Sequence, residues 1–191
     1  MLRNVSGRKA AALFAFFFVL VAHAKPEEST LAVGDWVFRS GTGRESVLIR
    51  HLSASEWSHM GVVVAISPDV QIVHATTNDQ PEAENQVIVS SYREFSAPHL
   101  AGKIAAARPA FLSAEERVRL AQDVQTEVGK AFVLVARDRQ PRYCTTIIFD
   151  ALQVLRPALE VRWRRTSLPF LEGEYLYPQA LAELSGLQWL P

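Results

Sequence analysis

The sequence predicts an α+β protein with a mainly antiparallel sheet, and three features of it carry that prediction. His59–Ile66 is rich in β-branched residues, and a second apolar run, Val70–Thr76, follows it after a short Pro-Asp connection. Ser113–Gly129 and Tyr143–Leu155 both carry apolar residues at helical spacing. With 191 residues, 49% of them hydrophobic, the chain can form one well-packed domain.

The elements follow in order along the chain. Gly34 is a turn residue that precedes the first strand, and Arg44–Leu52 has helical spacing. The two β-branched runs are joined closely enough to form an antiparallel hairpin, with paired residue numbers summing to about 137. Further short segments are predicted as strands at Asp35–Ser40, Gln86–Ser90 and Lys103–Pro109, and as a brief helix at Tyr92–Phe95.

Two helices are predicted in the second half of the chain. Ser113 and Glu116 have the spacing of a capping box, and Gly129 ends that pattern. In the next helix, Pro157 stops a buried apolar face made by Ile147, Ile148, Ala151, Leu152 and Leu155. Cys144 is therefore expected in the first turn of a buried helix.

The N-terminal residues are typical of a secretory signal peptide. A basic start is followed by the uncharged run Ala10–Val21 and by a small-x-small cleavage pattern at Ala22–Ala24. The predicted organisation is a signal peptide over residues 1–24, a flexible mature N-terminus over 25–32 and a single domain over 33–191. Cleavage near Ala24 indicates export, with the periplasm favoured; an uncleaved anchor is the alternative.

Charge and cysteine content exclude several classes of protein. Without residues 1–24 the chain keeps 17 basic and 20 acidic residues, a net charge of −3, which argues against nucleic-acid binding. A single cysteine provides neither an internal disulfide nor a Cys-x-x-Cys metal pair. No metal or other cofactor is predicted.

The single cysteine has two interpretations. At a helix start, unpaired N–H groups and the helix dipole lower a thiol pKa and can hold an oxyanion. A free cysteine can equally be a buried packing residue. The position of Cys144 in the sequence does not by itself decide between them.

A cysteine nucleophile needs a general base, usually a histidine. His59 begins a strand, where its ring can face a helix N-terminus, and His74 lies in the adjoining strand. His74 would then orient His59 and fix its tautomer. The alternatives are two structural histidines, or a His-His metal pair that lacks a clear third ligand.

Four motifs, in this order, resemble the YiiX/YebB-like branch of the NlpC/P60 cysteine hydrolases. They are the segments at Gly34–Phe38, Ser58–Val64, Val73–Ala75 and Tyr143–Leu152. In most NlpC/P60 proteins the cysteine helix comes first, whereas here it comes last, as in a circular permutation. The resemblance covers about residues 33–155 and implies a circularly permuted papain-like fold: a small antiparallel sheet or open barrel packed against the cysteine helix.

The resemblance also implies a set of site residues. Cys144 would be the nucleophile, His59 the base and His74 the orienting third residue. Tyr143, Ser58 and Trp57 would line the site, Tyr143 near the oxyanion. Gly34 and Asp35 would have structural roles.

The chain departs from that pattern in two places. Thr145 and Thr146 follow the cysteine where relatives often have Ser-Glu, and Gly129–Leu134 matches a family segment only at its first two residues. These departures leave the nucleophile and the base in place, but they leave the substrate open.

The expected function is that of an exported cysteine hydrolase acting on an amide or acyl bond in envelope material. The partner would be a small-molecule, lipid or peptidoglycan-derived acyl substrate, with peripheral envelope contact and no nucleic acid. Two alternatives stay open. One is an acyltransferase on the same fold. The other is an inactive envelope-binding module that uses Trp36, Trp57 and Arg162–Arg165, although these residues can also be ordinary packing and a solvated basic loop.

Overall fold

A six-stranded antiparallel sheet organises the computed structural model, which describes residues 25–191. The strand order is β4-β3-β2-β1-β5-β8, and a separate two-stranded hairpin consists of β6 and β7. The bounds are β1 (Trp36–Gly41), β2 (His59–Ala65), β3 (Gln71–Thr76), β4 (Gln86–Ser91), β5 (Ala101–Pro109), β6 (Arg164–Leu168), β7 (Leu171–Tyr175) and β8 (Leu187–Trp189). The predicted α+β class is confirmed.

Five α-helices lie within residues 25–191. They are α1 (Arg44–Ser53), α2 (Tyr92–Phe95), α3 (Ala114–Gln125), α4 (Thr146–Leu155) and α5 (Pro178–Ala182). Helices α3 and α4 pack together over one sheet face, where the main core contains Trp36, Met60 and Val62. Helix α2 closes a smaller core with Val37 and Ile72 on the opposite face, because neighbouring strand residues point to opposite sides.

The predicted local structures are present with small shifts in their bounds. Strands β2 and β3 pair antiparallel with Val62 opposite Val73, so paired numbers sum to 135 rather than 137 over most of the ladder. The capping box of α3 is formed by the Ser113 and Glu116 side chains. Helix α3 ends at Gln125, earlier than predicted, and Gly129 follows with a φ of +82°.

Gly34 and Asp35 directly precede β1, and each has an identifiable structural role. Gly34 has a φ of +86°, and a Cβ there would lie 2.5 Å from the Cβ of Arg117. The Asp35 carboxylate is fully buried and accepts two hydrogen bonds from the Arg108 side chain, at 2.8 and 2.7 Å. Their expected structural role agrees with this geometry, since a bidentate pair satisfies an otherwise costly buried carboxylate.

The segment predicted as a flexible mature N-terminus is packed against the sheet. Leu31 is buried in the smaller core, and the Tyr92 hydroxyl donates to the Pro26 carbonyl at 2.6 Å. The polar composition of this segment predicted flexibility. Its contacts could not be seen in the sequence, because Tyr92, for example, lies 66 positions after Pro26. The predicted signal peptide, residues 1–24, lies outside the described residues. Over residues 25–191, no helix has the length and apolar character needed to cross a membrane.

The C-terminal elements have no counterpart in the sequence-based prediction. The β6–β7 hairpin and β8 follow the cysteine helix, and β8 pairs with β5 at the edge of the sheet. Strands β6 and β8 are short and mostly exposed and show no alternating apolar pattern. Strand β7 alternates, but over only five residues that include a glycine, which is a weak signal.

Candidate active site

Cys144 lies in the turn that leads into α4. The helix begins at Thr146, so the expected position in the first helical turn is off by two residues. The Thr146 N–H donates to the Tyr143 carbonyl, and the Tyr143 N–H donates to the Thr146 hydroxyl. This closed turn presents the Cys144 side chain between the helix start and the sheet.

The surroundings of the thiol favour its neutral form. Burial raises the pKa of the Cys144 thiol to about 11. Hydrogen bonds from the Met60 and Thr145 N–H groups and the positive charge of Arg39 lower that pKa, but by less than burial raises it. Pairing of β2 with β3 reaches only to Val62, so the Met60 N–H can approach the sulfur. The thiol is therefore protonated at neutral pH.

The two predicted histidines are in contact. His59 Nε2 lies 2.9 Å from His74 Nδ1, and His74 Nε2 lies 3.0 Å from the Ser90 hydroxyl oxygen. Gln80 also donates to that hydroxyl oxygen. Two tautomer assignments satisfy these contacts: Ser90 donates to His74 and His74 to His59, or the reverse. In the reverse one, each histidine carries its proton on Nε2, His59 donates to His74, and His74 donates to Ser90. The Nδ1 lone pair of His59 is then free.

A glycine makes room for this contact. Val62 pairs with Val73 in the β2–β3 ladder, so continuing that register places Gly61 opposite His74. A Cβ on Gly61 would lie 2.5 Å from Ile72 Cγ2 and 3.1 Å from His74 Cβ. The missing side chain lets the His74 ring lie beside the start of β2, within reach of His59.

A buried ion pair lies beside the histidines. Arg39 Nη1 is 2.7 Å from Asp79 Oδ2, and the same oxygen is 4.0 Å from His74 Nδ1. Arg39 also donates to the Phe95 carbonyl, and its guanidinium stacks on the Phe95 ring. Burial alone would raise the pKa of Asp79, but the hydrogen bond and the positive charge of Arg39 hold it well below its usual range.

Both histidines are neutral in this environment. Burial, with the Arg39 charge as a further cause, lowers the pKa of His59 well below its ordinary value. Burial also lowers the pKa of His74 to about 3, although Asp79 opposes that shift. A neutral His59 can accept a proton, which is what a general base requires.

Cys144 and His59 line the same cavity, which has a volume of about 280 Å³. Its other walls are formed by the β1–α1 connection, the loop after β3, and Phe132 and Leu134. Among the described residues, no hydrogen bond joins the Cys144 sulfur to the His59 ring. Such contacts are often long in a protein without substrate and tighten when substrate binds.

The remaining predicted site residues fall into two groups. Ser58 and Tyr143 line the cavity, but their hydroxyls are engaged: Ser58 Oγ accepts from the Gly41 N–H, and Tyr143 Oη accepts from the Leu176 N–H. Trp57 instead lines a separate cavity of about 640 Å³ with Lys103 and Trp189. Its ring packs against Phe38, so Trp57 is not a wall of the Cys144 cavity. The sequence could not predict this position, because the side chain of a residue that precedes a strand is not assigned to either face of the sheet.

Three site residues were not found from the sequence. Arg39 pairs with His59 across β1 and β2, Asp79 lies in the loop after β3, and Ser90 lies in β4. Alternation along β1 would have placed Arg39 on the same face as the buried Val37, an unusual position for a charge. Asp79 and Ser90 carry no comparable signal, because polar residues are common in loops and at strand ends.

The fold is that of a solved bacterial protein. The crystal structure of the metalloprotein YiiX from Escherichia coli O157:H7 aligns with a TM-score of 0.66 and 21% sequence identity. The alignment covers 83% of this chain and 96% of that chain. This similarity supports the YiiX part of the resemblance at the level of fold. No model of a known family matches the sequence, and no curated protein matches it either.

Proposed function

We propose that this protein is a cysteine hydrolase with a circularly permuted papain-like fold. Cys144 is the nucleophile, His59 the general base and His74 the residue that orients His59. The observation that carries the proposal is a shared cavity, lined by a cysteine just before a helix and by a histidine that is hydrogen-bonded to a second histidine. A packing cysteine has no need of that arrangement.

The mechanism starts from a neutral pair. As Cys144 Sγ attacks the acyl carbon, His59 Nδ1 accepts the thiol proton, so no separated charges exist beforehand. Backbone N–H groups beside Cys144 stabilise the oxyanion. Protonated His59 then gives the proton to the leaving amine or alcohol, and the C–N or C–O bond breaks.

The second half of the cycle releases the acyl group. Water attacks the thioester carbon while His59 accepts one of its protons, and the proton returns to the sulfur as the C–S bond breaks. Throughout, the His59 Nε2–H donates to His74, and Asp79 lies close enough to favour positive charge on the dyad. Arg39 is paired with Asp79 and balances its negative charge.

The predicted signal peptide supports envelope material as the source of substrate, in the periplasm. Amide bonds of peptidoglycan peptides and of N-acylated lipids are the first candidates. An acyl acceptor other than water would make the same thioester a transferase intermediate, and product analysis with added amines separates the two. If no probe is cleaved, an envelope-binding module without catalysis is the remaining interpretation.

The test is a screen of purified protein against peptidoglycan fragments, N-acyl amino acids and phospholipids, with mass-spectrometric detection of products. Cys144→Ala is the matched control, because it removes the only thiol of the chain. We expect hydrolysis by the wild type only, with a thioester adduct trapped on Cys144. Equal activity of both proteins would refute the proposal.

A metal site is the second candidate, and one observation favours it. His59, His74 and Asp79 have ligand atoms within 4.8 Å of one another, which supplies the third ligand that the sequence did not reveal. The solved protein of the same fold is described as a metalloprotein. In this structure, however, the two imidazoles are hydrogen-bonded to each other and Asp79 is paired with Arg39, whose positive charge opposes a cation.

The residues therefore fit a hydrogen-bonded relay better than a metal centre, and we derive no step through a metal. Measuring the metal content of the purified protein, and its hydrolysis before and after chelation, distinguishes the two candidates. Stoichiometric metal that is lost in His74→Ala together with activity would favour the metal site. Full activity after chelation favours the thiol mechanism.

A further inference from the structure

The two residues that flank Cys144 are both hydrogen-bonded to the backbone of one residue, Leu176, just after the β6–β7 hairpin. The Thr145 hydroxyl donates to the Leu176 carbonyl at 2.6 Å. The Leu176 N–H donates to the Tyr143 hydroxyl at 2.8 Å. Thr145, Leu176 and Tyr143 are all buried, so neither bond competes with water.

Leu176 lies more than thirty positions from the cysteine turn, and the local turn does not need it. The reciprocal bonds between Tyr143 and Thr146 already close that turn. The bonds to Leu176 add a second constraint from outside, on the residue before the thiol and on the residue after it. Thr145 makes no helix-capping bond with its side chain, so its hydroxyl is committed to Leu176.

We propose that Thr145 is a positioning residue: its hydroxyl bond to Leu176 fixes the backbone directly after Cys144, so that the Thr145 N–H is oriented to serve the thiolate and the oxyanion. Tyr143 completes the clamp from the other side. This role rests on the proposed cysteine hydrolase function, and it assigns a use to the residue at which the chain departs from its relatives.

The physical basis is the orientation of one peptide group. The Thr145 N–H is among the groups that stabilise the thiolate. The hydrogen bond from the Thr145 hydroxyl to Leu176 restricts the Thr145 backbone. An N–H donor that is already oriented costs no reorganisation during the reaction. The charged and titratable side chains that line the cavity with Cys144 are those of Arg39, Glu45, His59, Asp79, His99 and Tyr143. None of them is hydrogen-bonded to Thr145 in the described part of the chain.

The test compares Thr145→Val, which keeps the shape and removes the hydroxyl, with Thr145→Ser, which keeps the hydroxyl. Tyr143→Phe removes the other half of the clamp. The matched control is Thr166→Val, because Thr166 is a buried threonine of the hairpin whose hydroxyl bonds to Tyr177 at 2.7 Å. Thermal unfolding of each variant measures the purely structural cost.

Two readouts are followed: the pH profile of Cys144 alkylation, and kcat and KM on the substrate found in the screen. We expect Thr145→Val to shift alkylation to higher pH and to lower kcat at least tenfold with KM within about twofold. Thr145→Ser should restore both, and Thr166→Val should change only thermal stability. Tyr143→Phe should act in the same direction as Thr145→Val.

Equal alkylation profiles for Thr145→Val, Thr166→Val and wild type would overturn the proposal, even if hydrolysis is found. If no substrate is hydrolysed, the alkylation profile still tests the clamp, so failure of the proposed function and failure of this inference are separable. If Thr145→Val does not fold, the same comparison rests on Tyr143→Phe, and an unshifted profile for that variant overturns the clamp.

Discussion

The resting state of the thiol can be tested through the pH dependence of its alkylation. Burial raises the pKa of Cys144 to about 11, from an ordinary value of 9.0. At pH 7 the thiolate fraction is then about 10⁻⁴ rather than about 10⁻², because each pH unit below the pKa lowers it tenfold. Since the thiolate is the reactive form, alkylation of the folded protein should be about a hundredfold slower than that of a free thiol.

The assay is the rate of iodoacetamide labelling between pH 6 and pH 10, followed by intact mass. The expected rate rises about tenfold per pH unit across this range without a plateau. Urea-unfolded protein is the internal control, because the same single cysteine is then exposed and should behave as a free thiol. Cys144→Ala measures labelling at other residues.

A preformed thiolate–imidazolium pair predicts a different curve. Its alkylation rate would be high and nearly independent of pH between 6 and 8, as it would be controlled by the low thiol pKa. Such a plateau would refute the neutral-pair reasoning and would show that His59 is protonated despite its burial. The hydrolase proposal itself would survive, since an ion pair is also a competent nucleophile.

Three further predictions concern the residues around the thiol. Burial lowers the pKa of His74 to about 3, so below about pH 6.5 the unfolded chain binds a proton that the folded chain does not. The contribution of His74 to the free energy of unfolding should be fully present above about pH 6.5 and be lost as pH falls towards 3. Urea unfolding at several pH values should show this loss of free energy in the wild type and a shallower one in His74→Asn. Asp79→Asn leaves Arg39 buried without its partner, so the free energy of unfolding should fall by about 3–5 kcal/mol, and an unchanged urea midpoint would contradict a buried pair. Gly61→Ala places a Cβ 2.5 Å from Ile72 Cγ2, which should cost about 1–3 kcal/mol by overpacking and reduce hydrolysis by displacing His74; a fully active, equally stable variant would show that this space is not needed.

The elements that contain the proposed nucleophile and base were predictable because their signals are local. A β-branched run around His59, a short connection to the strand of His74 and an apolar helical face after Cys144 depend on residues close in sequence. The same holds for the capping box of α3. The order of these segments also led to the YiiX-like resemblance, which the structural similarity supports at the level of fold.

Tertiary structure decided everything that depends on contacts between distant segments. The order β4-β3-β2-β1-β5-β8 brings Arg39 beside His59 and lets Asp79 reach Arg39 and His74, although no local pattern relates these residues. The surroundings of Trp57 and of the N-terminal segment could not be read from the sequence for the same reason, since they come from other parts of the chain. The sequence alone determined which residues have suitable chemistry and which elements hold them. Only the fold determined their burial, and burial is what makes the thiol and both histidines neutral, because desolvation disfavours their charged forms.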